Sequence, residues 1–370
     1  MRRLTVVQLL PALHSGGVER STLEIARALV AAGHRAIVVS AGGRLVQALL
    51  DSGAEHLTLD IGRKSLLTLR HVASLRQLFT DTGADIVHAR SRLPAWLGWY
   101  ALRGMPAGTR PHWLTTMHGL NSPGRYSGIM ASGERVICVS QTVHDYLLRH
   151  YPTTDPGKLR VIPRGVEVQQ FPRVARSDRR ARLAVAARYP GLAGDAPLLL
   201  LPGRGTRLKG HAHAIQLLAD LQLVGQQALL WLPGAREPGR EAYVGELEAL
   251  AQGLGVAERL LITEPTSRIA EAYAASDLVL QLSDKPEAFG RTVLEALSVG
   301  RPVLGWDHGG VGELLAQLQP SGAVPLGQAS VLAQRAALLL HDPPPLPHRI
   351  PFTLQAMQRA TLDVYAELVG

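Results

Sequence analysis

Cysteine is almost missing from the 370-residue sequence: Cys138 stands alone, inside the apolar run VICVS. One thiol excludes a disulfide framework and a cysteine-rich metal site, and it fits a reducing cytoplasm. Aromatic residues are scarce at 5%, although hydrophobic residues reach 46%. The core is therefore aliphatic, and the chain is long enough for two domains of ordinary size. No apolar stretch approaches the roughly 20 residues that cross a bilayer, so any membrane contact is peripheral. The opening MRRLTVVQLLPALHSGG starts like a secretion signal, but Gln8 and Pro11 interrupt it and no small-x-small cleavage site follows. It reads as a first strand. Acidic residues are short in one half only: residues 1–165 hold 20 Lys+Arg against 10 Asp+Glu, and residues 166–370 hold 19 against 20. The net charge of +9 thus sits in the first half. An Arg-rich composition explains the choice of Arg over Lys but not this asymmetry. A basic half beside a neutral half predicts an anionic partner: a phosphorylated lipid-linked glycan, a membrane surface or nucleic acid.

What is present is alternation. Short apolar strands (4–10, 36–40, 57–60, 85–88, 113–117, 135–139) alternate with helical stretches (18–32, 46–52, 67–80, 94–102, 141–149). The pattern restarts with strands 197–201, 228–232, 259–263, 278–282 and 302–306 and helices 212–221, 242–254, 269–275 and 311–318. Such alternation predicts parallel sheets with helices on both faces, with sites beyond the carboxyl ends of the strands. The Pro/Gly-containing KLRVIPRGVEVQQF separates the two arrays, and Pro343-Pro344-Pro345 with Pro347 breaks the chain before a last helix, 353–368. The ARSDRRARLAVAARYP that follows the separator reads as a basic helix with a solvated face.

Five places carry chemistry. In PEAFGRTVLEALSVGRPVLGWDHGGVGE, Glu287 precedes Phe289, Gly290 and Arg291 at the start of a helix that carries Glu295 two turns later. The backbone N–H groups at such a start favour an anion, and the two carboxylates flank it with acceptors suited to hydroxyls. A helix-start charge at Glu287 and an Arg291–Glu295 pair are the plain alternative. In PGRGTRLKGH, Arg204 and Lys209 lie five residues apart in a glycine-rich loop, able to converge on one diphosphate; it is not the P-loop pattern. After strand one, Gly16-Gly17 allows close backbone approach, or merely a tight turn. His118 ends strand 113–117, with His14 and His88 as lesser strand-end histidines. Arg90 and Arg92, in HARSR, stand at a helix start where cations oppose the dipole, a placement that fits a ligand as well as solvent. His211 and His213 lack nearby carboxylates or cysteines to complete a metal site, and no Asp-x-Asp occurs.

These residues together resemble the retaining GT-B glycosyltransferases of family 4. The frame Glu287-x7-Glu295 with Phe289-Gly290 inside, the G-R-x4-K-G of Arg204 and Lys209, GGVER at Gly16 and Gly17, and MHG at His118 match that family's pattern from Gly16 to Glu313. The resemblance implies a GT-B fold: two Rossmann-like domains facing across a cleft, residues 1–165 and 166–350, with the terminal helix 353–370 crossing back to the first. It implies that Arg204 and Lys209 hold the donor pyrophosphate with the helix start at Phe289, Gly290 and Arg291. Glu287 would contact the transferred sugar and Glu295 the ribose, Gly16-Gly17 would face the diphosphate, and His118 would contact the donor hydroxyls. HARSR resembles members that build bacterial lipopolysaccharide and related glycans, which assigns Arg90 and Arg92 to the acceptor. Where the family commonly has IPNGVD, this chain has Arg164 for Asn and Glu167 for Asp, which puts the family's contacts at that turn in doubt.

The reaction expected is metal-independent transfer of a sugar from a nucleotide diphosphate, with uridine as the expected base, to a hydroxyl of a glycan or lipid-linked acceptor, with retention. No cofactor is expected beyond the nucleotide sugar. The workplace is the cytoplasm, with peripheral contact at the inner membrane face, and no nucleic-acid recognition motif is present. Two alternatives stay open: a GT-B sugar-nucleotide epimerase, and a non-catalytic basic protein that binds membrane or nucleic acid on a degenerate scaffold.

Overall fold

A computed structural model describes residues 2–14, 16–176 and 178–370. The chain separates into two compact units, Met1–Arg164 with Leu354–Gly370, and Gly165–Thr353.

In the first unit the strands are β1 (Thr5–Leu9), β2 (Arg35–Ser40), β3 (Glu55–Thr58), β4 (Ile86–Ala89), β5 (His112–Met117), β6 (Arg135–Cys138) and β7 (Leu159–Val161). They form one parallel sheet in the order β3-β2-β1-β4-β5-β6-β7. The helices are α1 (Gly17–Ala31), α2 (Val46–Leu50), α3 (His71–Asp81), α4 (Arg92–Arg103), α5 (Arg125–Gly128) and α6 (Gln141–His150). The AIVV run of β2 is apolar on both faces because helices cover both. One core gathers Leu23, Ile25 and Leu29 of α1 with Val6 and Val38, and the other gathers Phe79 of α3 and Leu97 of α4 with Val7 and Val87. Ser140 shows how a loop residue starts a helix: its Oγ accepts from Val143 N–H at 3.1 Å, satisfying one orphan donor of α6.

The second unit has helices α7 (Arg179–Arg188), α8 (His211–Leu223), α9 (Glu241–Gly253), α10 (Ile269–Ala275), α11 (Arg291–Val299), α12 (Gly309–Leu318) and α13 (Ala329–His341). Its strands, β8 (Leu198–Leu200), β9 (Leu229–Pro233), β10 (Leu260–Thr263), β11 (Leu278–Gln281), β12 (Val303–Trp306) and β13 (Ala323–Val324), form a parallel sheet in the order β10-β9-β8-β11-β12-β13. The last helix, α14 (Leu354–Val369), returns to the first unit, where Met357, Val364, Tyr365 and Leu368 join the core beside α1. The two chain crossings run side by side: Val166 bridges Thr353, and Val166 N–H donates to Phe352 O at 2.9 Å.

Two Rossmann-like units, each a sheet of parallel strands flanked by helices, with a terminal helix that returns to the first unit, are therefore the observed architecture. Differences from the sequence reading are local. The stretch 67–80 is not one helix: Leu66–Arg70 forms a 3-10 turn before α3 begins at His71. Strands β7 and β13, of 3 and 2 residues, are too short to show a period. Helix α13 lies where no element was expected.

Candidate functional site

Each sheet has one place where successive connections leave in opposite directions: β1/β4 in the first unit and β8/β11 in the second. At such a switch point the loops leaving the carboxyl ends diverge and open a crevice for a ligand. In the second unit the loops concerned are 201–210 after β8 and 282–290 after β11, which are the two stretches holding Arg204, Lys209 and Glu287. The fold thus brings two of the sequence's five candidate places together.

Lys209 and Glu287 meet directly, with Nζ 2.6 Å from Oε1, and both side chains are recessed, at 30% and 26% exposure. Ser283 donates its hydroxyl to the same Glu287 oxygen at 2.7 Å. Burial alone would raise the Glu287 carboxyl, but the Lys209 charge and the hydrogen bonds from Lys209 and Ser283 outweigh it and hold the carboxyl below its ordinary value. The approach depends on Gly210. Its φ of 75° is left-handed, and a Cβ there would lie 1.8 Å from the Leu282 carbonyl oxygen. Only glycine lets the lysine loop sit against the end of β11. Around the same strand end, Trp306 Nε1 donates to Leu282 O at 3.1 Å and His308 Nε2 lies 2.9 Å from Ser283 O.

Gly290 caps the start of helix α11, and the loop before it is fixed from behind by α12. Gly310 N–H donates to Glu287 O at 2.8 Å, and a Cβ on Gly310 would meet Phe289 Cα at 2.4 Å. Phe289 turns its ring inward, 6.4 Å edge-to-face from Phe352, so its backbone is what it can offer a ligand. Arg291 is half-buried in the first turn. Glu295 is buried, and Tyr273 donates its hydroxyl to Glu295 Oε2 at 3.1 Å. Arg204 is exposed on its loop. His213 pairs with Asp284 at 2.7 Å, and burial, then the Lys209 charge, lowers the buried His211 to about 4, so it stays neutral. Among the described residues no group of three or more His, Cys, Asp or Glu side chains is arranged to hold a metal.

In the first unit the switch point lies between the loop carrying Gly16-Gly17, which begins α1, and the loop carrying Arg90 and Arg92, which begins α4. Gly16 and Gly17 are both exposed there. Arg90 is not: it is 2% exposed, donates to Gln8 Oε1 at 3.0 Å and to Ser21 Oγ at 2.7 Å, and burial lowers it to about 10. It braces β1, β4 and α1. Its Nε finds no hydrogen-bond partner among the described residues. Arg92 is half-buried, donates to Ser127 Oγ at 3.1 Å and lies 5.2 Å over the Tyr126 ring. His88 is fully buried between Tyr365 Oη at 2.8 Å and Thr116 Oγ1 at 2.6 Å; burial, with Arg90 and Arg164, holds it neutral.

Sequence reasoning marked neither Ser283 nor Tyr273, and it noted Arg164 only as a departure from the family pattern. Arg164 is buried, donates to Ser21 Oγ at 2.7 Å, and places its Nη2 against His118 Nδ1. A guanidinium can only donate, so this contact favours the His118 tautomer that keeps a lone pair on Nδ1 and a proton on Nε2. The only sequence signal was an Arg where the resembled pattern has Asn.

The chain matches the family models Glycosyltransferase Family 4 over residues 15–170 and Glycosyl transferases group 1 over residues 187–351. A D-inositol 3-phosphate glycosyltransferase of Xylanimonas cellulosilytica is 32% identical over 278 residues, 70% of this chain and 64% of its own length. The match thus spans less than two thirds of that relative. A crystal structure of a glycosyltransferase from Rickettsia africae superposes with a TM-score of 0.84 at 27% identity, covering 100% of this chain and 99% of that one. HepE from Anabaena, solved in complex with UDP and glucose, shares the fold with a TM-score of 0.78 at 20% identity, covering 99% and 96%. The chain belongs to the GT-B glycosyltransferases, its first half matching Glycosyltransferase Family 4 and its second half Glycosyl transferases group 1.

Proposed function

We propose that this protein is a retaining, metal-independent glycosyltransferase that moves a sugar from a UDP-sugar to a hydroxyl of an anionic glycan or lipid-linked acceptor. The observation that carries the reading is the Lys209–Glu287–Ser283 cluster at the second unit's switch point, with Arg204 on the same loop and the start of α11 beside it. Lys209, Arg204 and the α11 dipole at Gly290 and Arg291 neutralise the diphosphate as the glycosidic bond breaks. A single donor of that kind is worth roughly 3–4 kcal/mol in the transition state. Glu287 accepts from sugar hydroxyls, and Glu295, steadied by Tyr273, accepts from the ribose. His118 offers its Nε2–H to a sugar oxygen as the ring flattens towards an oxocarbenium-like state. The departing phosphate takes the acceptor's proton, so neither glutamate serves as nucleophile or base.

The donor assignment is supported by UDP in the HepE complex, at the level of fold. An anionic acceptor suits the basic first half, and the X. cellulosilytica relative is named for D-inositol 3-phosphate, an anionic polyol. In the first unit Arg92 and the Gly16-Gly17 loop are assigned to the acceptor and the diphosphate respectively, while Arg90 positions rather than touches. Synthesis of lipopolysaccharide or a related surface glycan at the inner membrane face is the setting proposed. The test is product stereochemistry. Slow hydrolysis of an α-linked UDP-sugar without acceptor, followed by proton NMR, should release the α-anomer first. Release of the β-anomer would overturn retention, and an epimerised sugar nucleotide would favour the epimerase.

A further inference from the structure

The turn that replaces the expected start of α3 has an unusual composition for a surface. Leu66, Leu67 and Leu69 are 86%, 72% and 52% exposed, while Thr68 between them is buried. The turn is held in shape from inside: Thr68 donates its hydroxyl to Arg63 O at 2.7 Å, and Ser65 Oγ accepts from Leu67 N–H at 3.3 Å. Three leucines are thus presented to water by a hydrogen-bonded scaffold. Arg63, Lys64 and Arg70 flank them, all exposed. From Ile61 to Thr80 the chain holds four Lys or Arg and no Asp or Glu.

The place of the turn matters as well. Gly62 packs on Pro11, just beyond β1, so the leucines stand at the carboxyl edge of the sheet, where the functional loops also lie. Helix α3 runs from this turn alongside α4, which carries Trp96, Trp99 and Tyr100 in mutual ring contact at 5.2–5.7 Å. Arg103 lies 4.6 Å over Trp99. In a chain with so few aromatic residues, this neighbouring group has the amphipathic character that settles at a lipid–water boundary.

We infer that the turn 63–70 docks the first unit on an anionic lipid bilayer, with Leu66, Leu67 and Leu69 entering the acyl boundary and Arg63, Lys64 and Arg70 among the headgroups. Two considerations select this occupant. Leucines flanked in sequence by Arg63, Lys64 and Arg70, with no acid between Ile61 and Thr80, complement an anionic, apolar-cored surface. A second copy of the chain would need roughly 800 Å² from each partner, and three leucines on one convex turn fall well short. The inference deepens the lipid-linked-acceptor reading and rests on it for its purpose, although its test does not depend on activity.

The experiment is co-sedimentation of the full chain with vesicles of phosphatidylcholine alone or with 30% phosphatidylglycerol, using a mole fraction on the order of that in anionic membranes. Beside it run L66S/L67S/L69S and R63Q/K64Q/R70Q, with the UDP-induced thermal shift recorded for each protein. The expected result is binding of the parent to anionic vesicles only, reduced about tenfold or more in both variants, with the UDP shift unchanged. Absence of parental binding, or full binding by the leucine variant, would overturn the inference. So would a concentration-dependent dimer that the leucine variant disperses without any vesicle binding, which would assign the turn to a second copy. A parent that binds vesicles but shows no UDP shift would count against the donor reading and leave this one standing.

Discussion

Lys209 and Glu287, 78 residues apart in sequence, share a hydrogen-bonded ion pair at the crevice between β8 and β11. The cation assigned to the pyrophosphate is thereby held by the carboxylate assigned to the sugar. On the function proposed above, a donor phosphate would compete with Glu287 for Lys209 and would free the carboxylate for the sugar hydroxyls, which would couple the two ends of the donor through one side-chain contact.

Replacing Lys209 with Ala should lower kcat by about 10²–10³, as for removal of a single transition-state donor. It also strands a recessed carboxylate, so the protein should lose about 1–3 kcal/mol of stability. The double variant Lys209→Met with Glu287→Gln should recover most of that stability and none of the activity. Urea unfolding and initial rates check both parts.

The ion pair should leave a signature in acid. The folded-state carboxyl of Glu287 lies below its ordinary value of 4.5. Its contribution to stability is therefore fully present above that value and is lost as pH falls through the lower folded value. Comparing the parent with Glu287→Gln across pH 3 to 7 should show a stability difference that shrinks towards the acid end. A difference that is flat with pH would contradict the assignment.

Arg164 should act through His118. Nitrogen-15 NMR of the histidine rings should find His118 as the Nε2–H tautomer in the parent and as a mixture in Arg164→Met. The Met variant should lose kcat more than it raises KM, with Arg164→Lys restoring part of the loss. A His118 tautomer that does not change would remove Arg164 from the account.

How much of this was legible in the sequence follows from what each feature depends on. Strand–helix alternation reports burial on two faces, so both sheets and the terminal helix could be read from apolar spacing. Lys209 and Glu287 could be marked separately from motif spacing, but their ion pair could not, because it arises from the order of strands in the sheet. Arg90 shows the converse: its charge predicted an exposed ligand contact, whereas Gln8 and Ser21 hold it inside, through β1 and α1, elements distant in sequence. Arg164 was marked only as a departure, since its neighbour His118 lies 46 residues away. The leucine turn was hidden because an apolar run before a helix reads as part of that helix.

Two structural predictions test the fold itself. Cys138 is buried in β6, and burial pushes its thiol up to about 12, so it should resist a disulfide-exchange reagent until the protein unfolds. Gly210→Ala should destabilise by more than about 1 kcal/mol, because the left-handed φ and the contact with Leu282 O are both refused. Rapid labelling of the thiol, or a stable alanine variant, would contradict the respective geometry.

The most direct test of the central claim is the melting temperature of the purified protein with UDP in the presence of a chelator, for the parent and for Lys209→Ala. Ligand that binds the folded state raises the melting temperature. A rise for the parent that is lost in the variant is the predicted result. A parent that does not respond to UDP, or to any other nucleoside diphosphate, would contradict the donor site described.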